Sequence, residues 1–452
     1  MSNVETHLMD ENFEAVLGGL DKLDIRATNY DDFKSQSDDI LRVFLTSHKS
    51  VDDSQIEIAL KCLKLLKQSC ALGQSFQDEI MSKENLLGKL KSILHDESIG
   101  ENIRISCLQL AANLCVQNKS NQEAVLNELK QFLVENIESN SNFANASTML
   151  VYNAFISKAD ASLDAQHLLE ILLTNLETVR LAQKDPPEFV GIFMEYLTCK
   201  TAELINGYEK INAEQRIQFL RYLTEYIRFD DRRNPPINKE LFHYLMLDFN
   251  KKCDLLLKLD DKSIDLDNSE ELFTLLMLLS DATCLYPYNQ FLQLYKTVFL
   301  NIGYLLRQLH ELGQSENSNM FTPVQNIEEI LKVKQGSSSI KIEEDISFSL
   351  KSSLVKALAN LLYQNKNNQD LARETGFIKV ILECTNLDAR NPLIKEWTIL
   401  AIRNLCENNL ENQKFIASLS KVGEAENTLL TEYTAEGGTI RITPRPSSSF
   451  RK

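Results

Sequence analysis

Leu393, Trp397, Leu400, Ala401 and Leu405 recur at steps of three and four residues. That is the period of one face of an α-helix, and it predicts a long amphipathic helix there. Pro392 falls just inside the expected start, where its missing N–H costs nothing. The helix runs out in ENNLENQ, whose asparagines tolerate turn and left-handed backbone and can cap the next helix. Upstream, NNQDLARETG predicts a short helix stopped by Gly376, and FIKVILECTNL predicts an apolar second helix. Short helix, helix, long helix is the order of an armadillo unit. Such a unit cannot bury its apolar face alone, so units must stack.

The pattern is written more than once. Residues 107–122 read CLQLAANLCVQNKSNQ, 354–369 read LVKALANLLYQNKNNQ, and 398–413 read TILAIRNLCENNLENQ. Aligned on Asn113, Asn360 and Asn404, each copy has a Leu next, another Asn five residues on (Asn118, Asn365, Asn409) and an Asn-Gln pair eight residues on. Asn360 and Asn404 lie 44 residues apart. A weaker copy, TMLVYNAFISKADASLDAQ, places Asn153 40 residues after Asn113, and another, IALKCLKLLKQSCALGQSF, lies at 58–76. A period of roughly 40–47 residues is that of HEAT and armadillo repeats. The expected fold is all-α: an armadillo/HEAT-like, right-handed superhelical solenoid.

Breaks in the pattern suggest an organisation. Residues 1–50, acidic and weakly helical (FEAVLGGLDKL, DDILRVFL), read as an N-terminal helical cap, and 51–310 as a repeat block. The register is lost in 181–260, where DPPEF and RRNPP are turn signals. Residues 311–345, rich in Ser, Asn and Glu around QGSSS, read as a flexible loop. Repeats resume over 346–435. Residues 436–452, with Arg441, Arg445, Arg451 and Lys452, are expected to form a disordered basic tail whose TPRPSSS suits kinase substrates.

Composition agrees with helices. With 14 Gly and 9 Pro in 452 residues, the chain is short of the turn formers that an all-β fold needs. A net charge of −16 argues against a general nucleic-acid binder and for steering toward basic partners. The nine cysteines include no C-x-x-C pair, and Cys62, Cys107, Cys115, Cys284 and Cys406 sit in apolar helical text, as reduced buried thiols would. The six histidines share no ligand spacing, and no nucleotide-binding, hydrolase or metalloprotease motif occurs. No catalytic residue, cofactor or metal is expected. The start MSNVETHLMDENFEAVLGGL lacks the features of a secretory signal, LFTLLMLLS is too short to span a bilayer, and Lys296 and Arg307 interrupt residues 291–309. A soluble, cytoplasmic protein is expected.

The candidate contact residues are the anchor asparagines Asn113, Asn153, Asn360 and Asn404. On one reading they line a groove and hold the backbone of an extended peptide. On the other they satisfy main-chain groups between repeats. Four residues before each anchor, where an importin-α-like receptor for basic signals carries tryptophan, stand Gln109, Met149, Lys356 and Leu400. The single Trp397 is off that register and reads as core. A transport adaptor for peptide signals is therefore the alternative function, without its usual slots.

The run CTNLDARNPLIKEWTILAIRNLCENNLENQKFI, 384–416, resembles the C-terminal conserved domain of the ataxin-10 family, and the likeness covers about 345–435. Elsewhere it is looser, carried by CLQLAANLCVQNKSNQ and the overall layout. The resemblance implies an armadillo-like, non-enzymatic cytoplasmic scaffold that binds other proteins. An exposed terminal repeat would allow it to form homo-oligomers. Animal members are linked to neurite growth, neuron survival, cytokinesis and the ciliary base, so perinuclear, midbody or ciliary-base placement is implied in the same way.

Overall fold

The computed structural model describes residues 13–24, 29–50, 52–158, 164–229, 235–258, 266–314, 321–324, 348–386, 388–419, 430–436 and 439–444. Among them the chain forms 21 helices and one β-hairpin. Contacts divide it into two compact units, residues 1–219 with 231–244, and 220–230 with 245–452. Each is a stack of helical repeats of the armadillo/HEAT kind.

The first unit opens with α1 (Phe13–Asp21), α2 (Tyr30–Ser47), α3 (Asp53–Cys70), α4 (Gln74–Met81) and α5 (Leu86–His95). There follow α6 (Glu101–Leu114), α7 (Lys119–Glu138), α8 (Ala144–Ile156), α9 (Ala165–Ala182), α10 (Glu188–Cys199) and α11 (Leu204–Lys210). The long helices form a row: α3 packs on α6, α6 on α8 and α8 on α10. Such helices are apolar on more than one side. In α6, Ile103, Cys107, Leu108, Leu110, Ala111 and Leu114 are all buried. Ala111 and Ala112, completely enclosed, let neighbouring backbones approach closely.

The division runs through α12 (Ala213–Arg228) and α13 (Lys239–Lys258). The second unit continues with α14 (Leu266–Ala282), α15 (Tyr286–Leu292) and α16 (Lys296–Gly313). Then come α17 (Leu350–Leu362), α18 (Lys366–Glu374), α19 (Phe377–Glu383), α20 (Ile394–Cys406) and α21 (Leu410–Ser418). The helices α18, α19 and α20, of 9, 7 and 13 residues, are the three-helix unit read from the pattern, two short helices before a long one. α17 packs on α14, α16 and α20, and α16 also on α19.

These contacts revise the expected layout. The helices before 311–345 and those after it belong to one packed unit. Ser280 Oγ donates to Ser353 O at 2.7 Å, Gly303 lies flush against the buried Phe377 ring, and Arg307 donates to Thr375 O. Part of the expected loop is pinned: Val324 N donates to Asp388 Oδ1 at 3.2 Å, and Ala389 N to Val324 O at 2.7 Å. Residues 315–320 and 325–347, where the rest of that expectation falls, lie outside the described residues.

Two local readings also change. Pro392 precedes α20 rather than sitting inside it: Leu393, at φ 61° and 61% exposed, is the N-cap. The tail expected to be disordered from 436 contributes a strand. β1 (Leu430–Glu436) pairs antiparallel with β2 (Thr439–Pro444), Tyr433 opposite Ile442 and Thr434 opposite Arg441. Four of the five residues of TIRIT are β-branched, which favours that extended backbone. Residues 445–452 are outside the described residues.

Candidate functional site

The repeated asparagines begin as a solution to a helix-end problem. The last carbonyls of an α-helix have no partner in the helix. At α6, α17 and α20 these ends lie inside the stack. The chain turns through left-handed Gln117, Gln364 and Asn408, and the next residue caps the following helix. Asn118, Asn365 and Asn409 each accept a hydrogen bond from the N–H three residues on.

The Asn-Gln pair then reaches back. Asn121, Asn368 and Asn412 donate through Nδ2 to the carbonyls of Leu114, Leu361 and Leu405 at 2.9–3.0 Å. Gln122 Nε2 donates to Cys115 O at 2.6 Å and to Asn153 O, one repeat on, at 3.3 Å. Gln369 Nε2 bonds Leu362 O at 3.3 Å and Asn404 O at 2.8 Å. Gln77 does the same for Cys70 O, Val116 O and Asn113 O. The glutamine is thus a staple between repeats, and the backbone carbonyl of the next anchor asparagine is its receiver. All these amides are buried, where an unpaired polar group would be costly. The capping role was legible in the sequence. The staple was not, although the matched Asn-Gln offset was its signal.

The anchor side chains themselves part company. Asn404 is 3% exposed and donates to Ala359 O at 2.8 Å. Asn360, half-buried, donates to Thr283 Oγ1 at 3.0 Å. Asn113 and Asn153 are also half-buried, but their side-chain amides make no hydrogen bond among the described residues.

Asn113 faces a pocket of about 520 Å³ in the first unit, walled by α3, α6 and α8, with Phe189 of α10 also in its lining. Its polar lining is Lys64 and Lys67 with five amide side chains, Gln68, Gln109, Asn113, Asn142 and Asn145. Ile105, Ala146 and Met149 add apolar floor, and no carboxylate lines it. Several of these groups are held in place. Lys67 Nζ donates to Gln109 Oε1 at 2.7 Å, Asn142 Nδ2 to Glu101 Oε1 at 2.8 Å, and Asn145 Oδ1 accepts from Phe189 N at 2.9 Å. Burial holds the Lys67 ammonium below the usual lysine range. The structure brings Asn113 together with Gln109 and Met149, two of the positions where importin-α-like receptors place tryptophan. It brings neither Asn360 nor Asn404 to this pocket.

Other candidates resolve differently. Trp397 is half-buried rather than fully in the core, with Lys356 Nζ 6.0 Å from its ring centroid. Lys356 is ion-paired to Asp281, which also accepts from Arg228 Nε at 2.7 Å. Cys62, Cys70, Cys107 and Cys115 are buried thiols pushed up to about 12 by desolvation. Cys284 departs from expectation and is exposed, and Cys406 is half-buried. Among the described residues no cluster of three metal-ligating side chains occurs, and no helix is long and apolar enough to cross a membrane.

A family model described as the spinocerebellar ataxia type 10 protein domain matches residues 350–441, from the start of α17 into β2. Ataxin-10 of Bos taurus is 25% identical over 400 residues, 83% of this chain and 79% of that protein. An ataxin-10 homolog of Dictyostelium discoideum is 47% identical over 94 residues, 20% of this chain and 15% of that one. Among solved structures, an engineered protein aligns with 89% of this chain and 91% of its own, at 12% identity and a TM-score of 0.27.

Proposed function

The chain belongs to the ataxin-10 family, and from that premise we propose that it is a non-enzymatic scaffold that binds other proteins through its repeat surfaces. The observation that carries this reading is the pocket around Asn113. It presents unspent side-chain amides on a rigid row of helices, and paired donors and acceptors of that kind suit the backbone of an extended peptide. The anchors at Asn360 and Asn404 serve the stack instead, so the contact region is the α3–α6–α8 face. A transport adaptor for basic signals is disfavoured, because Lys64 and Lys67 stand where a basic peptide would lie.

Self-association is a second activity of the same scaffold. The family model over 350–441 bears the name of an ataxin-10 homo-association domain, and that segment includes the final repeat with its exposed Leu393, Ile399 and Leu410. Cytoplasmic placement, and roles in neurite growth, cytokinesis or at the ciliary base, are carried by family resemblance alone.

The test is affinity purification with quantitative mass spectrometry, comparing the full chain with Asn113→Trp, which fills the pocket, after both are shown to melt alike. Loss of a defined partner set supports the reading. An unchanged set in a folded variant overturns the pocket as the contact region.

A further inference from the structure

We infer that the pocket between α3, α6 and α8 takes an acidic extended segment of a partner protein, with a carboxylate seated against Lys67. The inference rests on the reading of this pocket as a peptide site. Three observations carry it.

The first is the state of Lys67. Its side chain is half-buried at the pocket wall, and its ammonium has a single hydrogen bond, to the neutral Gln109 amide. Neither lysine of the pocket has an ion pair among the described residues. An ammonium drawn partly out of water without a counter-charge is in an unfavourable place, and burial accordingly makes its proton easier to lose. A ligand carboxylate would supply the missing charge and a charge-assisted hydrogen bond. The second is spacing. Lys64 and Lys67 are three residues apart on α3, hence on one face, and Lys64 is exposed at the rim. The wall therefore offers a deep cation and a shallow one along a single line, which fits two acidic side chains of one extended peptide. The third is contrast. The whole chain carries −16, yet this pocket has two cations, five neutral amides and no carboxylate in its lining. Glu101, a carboxylate outside the lining, accepts from Asn142 Nδ2 at 2.8 Å. A local reversal of sign on an acidic protein selects against basic ligands and admits acidic ones.

The apolar floor completes the occupant's description. Met149, Ala146 and Phe189 leave room for one apolar side chain beside the acids. Asn113 and Gln68 offer donors and acceptors to its main chain.

The test is selection of short random peptides on phage against the full chain, followed by titration of a fluorescein-labelled winner. The expected result is enrichment of peptides rich in Asp and Glu. Binding should weaken roughly tenfold or more in Lys67→Met, several-fold in Lys64→Glu, and steadily as salt is raised. Lys64 is on the surface, so its variant remains informative if Lys67→Met does not fold. Winners without excess acid that Asn113→Trp still releases would leave the peptide site standing and overturn its acidic preference. Winners that Asn113→Trp does not release, or no winners at all, would overturn both. Acidic winners that bind both lysine variants as tightly as the parent would move the acid site elsewhere and overturn the inference.

Discussion

The region around Asn113 and the region around Asn404 share one motif and use it differently. Both asparagines stand at the same step of a long helix, each with a backbone carbonyl stapled by a glutamine of the preceding repeat, Gln77 or Gln369. Asn404's side chain also turns back, to Ala359 O. In α17 the N–H of Tyr363 goes to Asn360 O at 3.3 Å, leaving the Ala359 carbonyl to another donor. α3 ends in the same way, Ala71 N going to Gln68 O at 3.2 Å, yet there the anchor's amide is left facing the pocket beside Lys67 and Gln68. Repeat identity therefore specifies the main-chain joint, while the anchor's side chain is structural in one repeat and available in the other.

The comparison breaks most forcefully at the packing beneath it. Gly303→Leu would drive a side chain into the Phe377 ring, which is fully buried. It is expected to destabilise the second unit by about 1–3 kcal/mol or more, read as faster hydrogen exchange in both α16 and α19. If only α16 responds, the helices on the two sides of 311–345 do not form one packed unit.

Asn409→Ala removes an N-cap and the side-chain bonds to Gln369 Oε1 at 3.1 Å and Asp370 Oδ1 at 3.0 Å. A loss of about 2–3 kcal/mol is expected in urea unfolding followed by α21 exchange. Little change would mean the cap is replaced by water.

Asn404→Ala against Asn113→Ala is the direct contrast. The first leaves Ala359 O without its amide donor and should cost about 1–3 kcal/mol. The second removes no protein hydrogen bond and should stay within about 0.5 kcal/mol. Equal costs would show that Asn113 is structural too.

The smallest effect is on pH dependence. His48, packed against Phe44, has its pKa lowered chiefly by burial. The native state then binds the proton less readily than the unfolded chain. Stability should therefore fall as pH drops through the ordinary histidine range, from about 7 toward about 5, and level off once the folded-state pKa is passed. His48→Asn should flatten the part of that slope belonging to the first unit in thermal melts.

Much of the fold was legible. Period-3.6 apolar positions placed the long helices, and the matched asparagine offsets revealed the repeat and its caps. Both are local properties, carried by a few consecutive residues whose side-chain chemistry answers to their own backbone. The misplaced features were non-local. Serine- and asparagine-rich composition marked 311–345 as a break in the pattern, but composition cannot report that Ser280 meets Ser353 across that interval. Trp397 has a core residue's size, and only its position on α20 leaves it half-buried beside Lys356. Likewise, Asn113 and Asn404 are identical in text.

The chain's pattern alone committed it to stacked helices, because an amphipathic helix with capped ends has no stable alternative to burying its apolar face on a neighbour. Which amide became a staple, which was consumed by a helix end and which was left facing a lysine-lined pocket was settled only by tertiary packing. A hydrogen bond needs its partner within about 3 Å and correctly directed, and residues some forty positions apart acquire that geometry only when the repeats are in place.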